Sequence, residues 1–600
     1  MQSTDTDDQP LSPTDAPTSE TPLNYKVVVV GGGITGLYCA WKLPQGSVGL
    51  FEAANRWGGR VETVLMGKAG GPQFKAEFGP MRFEAPGQKR LMGLLSKLGL
   101  KTSPFPAYQS PVVVYPKYNI TDAEEKRWTS PLDLLLMGIL KALGRYTNGM
   151  SDAQMRAVVG TYDEAQYPAL RQSARQGGKG EYLHKRGFWN VLADVLSHQA
   201  VLKIRDTGNF YHVIHENPNA IEWIIFWLRA LQPKDILVGI QHGSKSLTEA
   251  LLRDIDASKK PRHERHWLKS IATKDGKVHL EFNHGDKIVA VQADHVILAL
   301  PKRPLEHLAA TLPEPVRGDL DAVRGIPLLK CFFVVTRPWW NEDTTPHTNA
   351  GHLPVREVHY YQEHTLQLTE ARRHELRKGL VTAALRIEFA KHSVKLPENI
   401  QLVSKTSGAK GWRLFAADHD YFIALADLSV FNSKGKGMVM VYTDRPATEY
   451  WNQYVVDQKQ HDRAELRGSQ ELKARFFKYL ARQLLAEVAD LRAHGELEQA
   501  EPLRCFEAIT TADELERELL AQVEDWGIHD WEHEPYGGAF HVWRPGVKSW
   551  EVMERLRAFG AGGRIHVAGE AFSDYQGFIE GCLNSAELAL ATIPAEVDDD

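Results

Sequence analysis

The sequence predicts an α/β fold built on a parallel sheet with helices against it, and three observations near its start carry that expectation. Tyr25-Lys26-Val27-Val28-Val29-Val30 is a β-branched run of the length of one buried strand. Gly31-Gly32-Gly33-Ile34-Thr35-Gly36 follows at once and opens a helical stretch through Leu43. Val48-Gly49-Leu50-Phe51 is then a second strand, with Glu52 directly after it. Strand, glycine turn, helix, strand and acid, in that order, form the arrangement that holds a dinucleotide. Gly31 allows the turn, Gly33 lets backbone amides approach a pyrophosphate, and Gly36 permits close helix–strand packing. The helix N-terminus faces an anion, and Glu52, about 20 residues past the glycines, is placed to accept hydrogen bonds from an adenosine ribose.

At 600 residues the chain exceeds what one hydrophobic core organises, so two or three interleaved domains are expected. A net charge of −5, from 71 basic and 76 acidic residues, supplies no overall field to hold nucleic acid or an anionic membrane. Cys39, Cys331, Cys505 and Cys582 lie far apart with no Cys-x-x-Cys pair, which predicts reduced thiols and no zinc site. Residues 1–24 are rich in Ser, Thr, Asp and Pro, without a basic start or an apolar stretch; they are expected to be disordered and not a signal peptide. Residues 131–143 and 220–231 are strongly apolar but shorter than the roughly 20 residues a bilayer requires, and the second carries Glu222 and Arg229. Both are expected as buried helices. Together these features predict a cytoplasmic protein with no membrane or nucleic-acid partner.

Between about residues 130 and 231 the apolar spacing is helical, which predicts an inserted helical subdomain. Residues 247–255 follow as a helix, residues 278–282 and 288–291 as an antiparallel pair around Gly285-Asp286, and residues 294–300 as another buried strand stopped by Pro301. Strand-like runs between Leu329 and Tyr442, notably 331–336 and 438–442, predict a mixed sheet facing a substrate, and residues 472–491 an amphipathic helix. The chain closes with a short strand ending in Gly569-Glu570 and a helical stretch from Gly577 to Leu590, a second helix N-terminus available to a cofactor.

Four separated motifs then carry a resemblance. They are the glycine fingerprint with Glu52-Ala53-Ala54-Asn55-Arg56-Trp57-Gly58-Gly59-Arg60, the Gly79-Pro80-Met81-Arg82 turn, Lys330 inside an apolar strand, and Gly569-Glu570 with Gly577-Phe578-Ile579-Glu580. In this the chain resembles the flavin-containing amine oxidases, and within them the L-amino acid oxidases. The resemblance implies the fold class α/β: a Rossmann-like FAD-binding domain with a mixed-sheet substrate domain and an inserted helical subdomain. The expected division is residues 25–85 with 235–325 and 545–595 for FAD, 86–130 with 326–544 for substrate, and 131–234 for the helical subdomain.

The resemblance also implies roles. Gly31, Gly33, Gly36, Glu52, Arg56, Gly59, Arg60, Met81, Arg82 and Glu570 wrap FAD, with the arginines beside the pyrophosphate and Glu570 toward the ribityl phosphate. Arg82 grips a substrate carboxylate through its guanidinium fork, which simple amines would not need. Tyr442 shares that carboxylate, Gly577 and Phe578 lie beside the amine and the flavin, and Lys330 holds a water at flavin N5. The implied reaction is hydride transfer from the α-carbon to N5, hydrolysis of the imino acid to a 2-oxo acid and ammonia, and reoxidation by oxygen with hydrogen peroxide formed. Phe578 stands where many relatives have tryptophan, which keeps an aromatic wall beside the flavin without its N–H donor; no cysteine lies near Gly569-Glu570 at the position where monoamine oxidases tether FAD, so FAD is expected to be non-covalent. The rivals are a flavin amino acid 2-monooxygenase, an amine or polyamine oxidase, and a non-catalytic FAD scaffold. A homodimer is left open.

Two further patterns are set aside. His529-Asp530-Trp531-Glu532-His533 matches a zinc-protease spacing, but proline and glycines directly after it preclude a long helix, so its residues are expected as loop polar groups. His263 and His266, among Arg262 and Arg265, are expected as a solvated basic turn. Phe188-Trp189 and residues 537–543 are candidate aromatic surface for the pocket or ordinary core.

Overall fold

The structure is a computed structural model. It describes residues 21–336 except 47, 68–73, 105–117, 208–215 and 233–235; residues 437–443, 447–455 and 469–493; residues 508–594 except 533–534; and short isolated stretches between 357 and 495. The expected disorder of residues 1–20 lies outside this set, as do His533 and most of residues 337–436.

The opening motif folds as its pattern requires. Strand β1 (Leu23–Val30) leads through the glycines to helix α1 (Ile34–Lys42) and strand β2 (Val48–Phe51). Leu23 and Asn24 belong to β1, which corrects the expected tail boundary by two residues. The main sheet runs Arg262–His263, β2, β1, Lys287–Leu298, Lys277–His284, Trp267–Lys274, with Ile565–Val567 paired to the Lys287–Leu298 strand. β1 is parallel to β2 and to Lys287–Leu298, in register Val30↔Phe51 and Val30↔Leu298, and Leu298↔Val567 adds a fourth parallel strand. The loops opening at Gly31, Glu52, Ala299 and Ala568 therefore gather at one edge, the carboxyl ends of the strands, where open α/β sheets bind ligands.

Residues 288–291 and 294–298 of the two runs expected as separate strands form one strand of 12 residues, Lys287–Leu298, which ends two residues before the expected Leu300. Its pairing with Lys277–His284 reaches Ala293 while its parallel register with β1 spans Leu23 to Val30, so no break separates the two. His263 and His266 are not a solvated turn. Arg262–His263 pairs with β2, which lays the His263 ring on Phe51 at 4.3 Å, and His266 is buried beside it.

Residues 131–230 supply helices only, among the described residues: Pro131–Ala142, Asp152–Val159, Tyr167–Ser173, Phe188–Val195, His198–Thr207 and Ala220–Ala230, with two single turns of 3-10 helix. Ser130 caps the first of these, with Pro131 at the opening position where a missing N–H costs nothing. The second sheet is antiparallel, in the order Glu357–Gln362, Gly437–Thr443, Leu329–Val335, Val523–Asp530. His529 and Asp530 close its last strand, which corrects their expected place in a loop.

The two faces of Leu329–Val335 bury into different cores. Leu329, Cys331, Phe333 and Val335 pack with Phe476, Phe477, Leu480 and Leu484 of the amphipathic helix Gln470–Ala493. Phe332 and Val334 pack with Met438, Met440 and Tyr442 toward the helical unit. Side chains alternate along a strand, so Lys330 shares the second face.

Candidate active site

A cleft extends from the strand ends of the main sheet, past the Gly79-Pro80-Met81-Arg82 turn, to the face of the second sheet that carries Lys330. Its interior volume is about 240 Å³. Gly31, Gly33, Glu52, Arg56, Gly59, Arg60, Met81, Arg82, Lys330, Tyr442, Glu570, Gly577 and Phe578 all line it. Gly36 alone among the expected residues does not, because a Cβ there would run into the Gly31 carbonyl; it serves the packing of α1 on β1.

At the strand ends, the fit to a dinucleotide can be tested directly. Gly33 caps α1 without any side-chain bond, and no acid stands in the first helical turn, so the opening amides of the helix present positive charge to the cleft. A Cβ on Gly33 would meet nothing nearer than the Gly59 Cα at 3.9 Å, so a bare backbone cradle opens there. Gly31 has φ +106°, and a Cβ on it would lie 2.5 Å from the Ala299 carbonyl oxygen. Gly58 N–H donates to the Gly32 carbonyl at 2.9 Å, which holds the Gly58-Gly59 loop against the fingerprint. Glu52 accepts from Gly32 N–H at 2.5 Å and Ala54 N–H at 2.8 Å; burial pushes its carboxyl up, against the pull of these amides. These residues fit the ADP half of FAD.

The two arginines shape the walls. Arg56 donates to Glu62 at 2.7 Å, to the Gly59 carbonyl at 2.7 Å and to the Tyr536 hydroxyl at 3.1 Å. Arg60 donates to Glu570 at 2.6 Å and to the Ala539 carbonyl at 2.8 Å. Glu570 also accepts from His541 Nδ1 at 2.7 Å and from Gly577 N–H at 3.2 Å. Burial alone would raise the Glu570 carboxyl, but Arg60 and His541 hold it well below the usual carboxylate range. Glu570 is thus an ionised hub that joins the arginine loop to the Gly577 turn.

At the far end, Lys330 is 4% exposed, Arg82 4% and Tyr442 5%. Lys330 Nζ donates to the carbonyls of Glu77 at 3.0 Å and Gly79 at 2.5 Å, so the turn that presents Arg82 also anchors the lysine. Beneath it, Glu77 accepts from Thr63 Oγ1 at 2.7 Å and Ser244 N–H at 2.9 Å. Burial pushes the Glu77 carboxyl up to about 7, opposed by those bonds and by Lys330 and Lys75. Phe78, Trp531, Tyr536, Phe540 and Phe578 give this end aromatic walls. Ala539 and Phe540 are the only residues of 537–543 that line the cleft, and Phe188 and Trp189 do not.

Sequence reasoning missed several of these groups. Tyr536, His541, Glu62 and Glu77 meet their partners across loops or between sheets, and no local spacing marks them. His266 lines the cleft near Glu52 and was masked by its basic neighbours.

The site can be compared with known proteins. A family profile described as flavin containing amine oxidoreductase matches residues 34–375 and 503–593. Wild-type putrescine oxidase bound to putrescine overlays with a TM-score of 0.56 at 15% identity, covering 96% of this chain and 100% of that one. Cyclohexylamine oxidase from Brevibacterium oxydans IH-35A overlays with a TM-score of 0.54 at 15% identity, covering 96% and 100%. At such identity the likeness is one of fold. Uncharacterized protein R188 of Acanthamoeba polyphaga mimivirus is 31% identical over 99 residues, a match spanning 16% of this chain and 19% of that protein. The profile covers most of the chain, the fold agrees along nearly all of it, and the glycine cradle leaves open backbone where a cofactor's phosphates would lie: the protein belongs to the flavin containing amine oxidoreductase family and uses FAD.

Proposed function

We propose that the chain is an FAD-dependent L-amino acid oxidase, converting an L-amino acid, oxygen and water to a 2-oxo acid, ammonia and hydrogen peroxide. The observation that carries this is Arg82, a guanidinium 4% exposed that lines the cleft together with Tyr442 and the aromatic walls. A guanidinium presents a planar fork of donors, and a carboxylate is the anion whose two oxygens match that geometry. FAD, which Gly31, Gly33, Glu52, Arg56, Arg60 and Glu570 would hold, would supply the redox chemistry as a hydride acceptor toward substrate and a two-electron donor toward oxygen.

The chain's own residues do the rest. Arg82 and Tyr442 take the α-carboxylate and so fix which substrate bond faces the cofactor. Phe578 and the other aromatic walls exclude water and favour the neutral amine over its cation. Lys330, held by two backbone carbonyls, keeps an ammonium donor that would hold a water at flavin N5. FAD is retained without a covalent bond: burial pushes the Cys582 thiol, at the cleft wall, up to about 11, where it is no nucleophile. We also propose the domain division given above, with the two sheets and the helical unit as its three parts. Among the described residues, no helix is long and apolar enough to cross a membrane.

Anaerobic mixing of the holoenzyme with a panel of L-amino acids, D-amino acids and amines tests the proposal. Bleaching of the visible flavin absorbance by L-amino acids, with 2-oxo acid and peroxide on admitting air, is the expected result. Bleaching by amines alone would make it an amine oxidase, and an amide with carbon dioxide would make it a monooxygenase.

A further inference from the structure

The segment 573–576 joins the Glu570 turn to Gly577 and Phe578, and the helical unit grips it. Arg229, on the helix Ala220–Ala230 and 6% exposed, donates Nη1 to the Asp574 carbonyl at 2.6 Å and Nη2 to the Asp574 carboxylate at 3.3 Å. Glu164 holds the same guanidinium through two bonds of 2.8 Å. The guanidinium lies over the rings of Tyr575 at 4.5 Å and Tyr167 at 4.7 Å. Arg171, anchored by Glu222, adds a bond to the Asp574 carbonyl at 3.1 Å, and Asn584 donates to the Asp574 carboxylate at 2.7 Å.

From this grip two lines lead into the cleft. The Tyr575 ring lies 4.9 Å from the Phe578 ring, which also meets Phe226, from the same helix as Arg229, at 5.6 Å. The Tyr575 hydroxyl donates to Glu84 at 2.5 Å, two residues beyond Arg82. Gly577 has φ +83°, a backbone region that gives no stiffness of its own, so the direction of Phe578 depends on what holds its neighbours.

We propose that Arg229 is a positioning residue of the active site, setting Phe578 and the Arg82 turn through Asp574 and Tyr575. The helical unit thereby shapes the substrate end without touching substrate. The inference goes beyond the amino acid assignment and holds for an amine substrate as well.

The test uses the full-length holoenzyme as wild type, Arg229→Met, Arg229→Lys and Tyr575→Phe. Four quantities are read: FAD occupancy, the visible spectrum of bound flavin, KM and kcat for the substrate that bleaches the wild type best, and the thermal midpoint. Arg229→Met is expected to raise KM about tenfold with kcat changed by less than about threefold, and to shift the flavin spectrum, since misplaced walls weaken productive binding. Arg229→Lys recovers part of the loss. Tyr575→Phe, which deletes one hydroxyl, raises KM by about threefold. A lowered thermal midpoint with wild-type KM and spectrum in Arg229→Met and Tyr575→Phe would overturn the proposal. If Arg229→Met does not fold, Tyr575→Phe decides alone by the same readings. If the wild type oxidises only amines, the amino acid assignment fails and the amine KM serves; if it oxidises neither, the flavin spectrum decides.

Discussion

Lys330 and Tyr442 stand opposite each other in the register of two antiparallel strands, with the ammonium 5.3 Å from the centre of the phenol ring. A cation over an aromatic face is stabilised by the ring's quadrupole, and here the pair looks onto the cleft. Replacing the lysine removes a charge and, on the proposed assignment, the donor that would hold a water at the flavin. Lys330→Met is expected to lower the rate of flavin reoxidation by oxygen about 10²-fold, comparable to the loss of one preorganised donor. Stopped-flow mixing of the reduced enzyme with oxygen measures it, and FAD content checks that the cofactor remains.

Arg82→Met separates amino acid from amine chemistry. Losing a bidentate charge-assisted contact costs about 2–4 kcal/mol, or roughly 10²- to 10³-fold in kcat/KM for an L-amino acid. Any amine that the enzyme oxidises should lose far less. Steady-state peroxide formation with paired substrates, such as an amino acid and its decarboxylated amine, reads the difference.

Glu77 gives a pH signature. Its carboxyl titrates near 7 in the folded chain and at the ordinary 4.5 when unfolded, so between these values the folded state holds a proton that the unfolded chain has released. The stability this contributes is fully present below pH 4.5 and is lost as pH rises through about 7. The Lys330 and Lys75 charges and the Thr63 and Ser244 donors face the same carboxyl and oppose the shift without cancelling it. Glu77→Gln, which cannot ionise, should flatten the fall in thermal midpoint between about pH 5 and 8.

The glycines divide into those that serve the fold and those that serve the cofactor. Gly36→Ala drives a methyl into the Gly31 carbonyl and should lower the thermal midpoint of the apoprotein. Gly33 has φ −73° and open space beside it, so Gly33→Ala should leave the apoprotein melting as wild type. Its cost falls on FAD, with affinity reduced about tenfold or more as the methyl meets the pyrophosphate. Fluorescence titration of apoprotein with FAD, alongside melting curves, distinguishes the two.

The parts of this architecture that are local in sequence could be read from it. The β1-α1-β2 unit declares itself by β-branched runs, glycine spacing and a terminal acid within about 30 residues. The buried place of Lys330 follows from the apolar residues on either side of it. The walls behind those motifs could not be read in this way. Arg60 finds Glu570 across 510 positions, and Arg56 finds Tyr536 across 480; such pairings depend on how distant loops are brought together. Basic neighbours suggested solvent around His263, whereas a two-residue pairing with β2 decides its burial. The zinc-like spacing at His529 begins on a strand, with period two, rather than on the helix that pattern needs, and His533 lies outside the described residues.

Alternation along Leu329–Val335 leaves that strand no tolerance for a shifted alignment. Inserting or deleting one amino acid ahead of Lys330 would turn the ammonium into the greasy layer against Phe476 and Phe477 and swing a leucine or a thiol toward the reaction chamber. Correct alignment of this strand between its two partners and competence for oxidation are therefore decided in one and the same event, so a misaligned chain is made inert and unstable together.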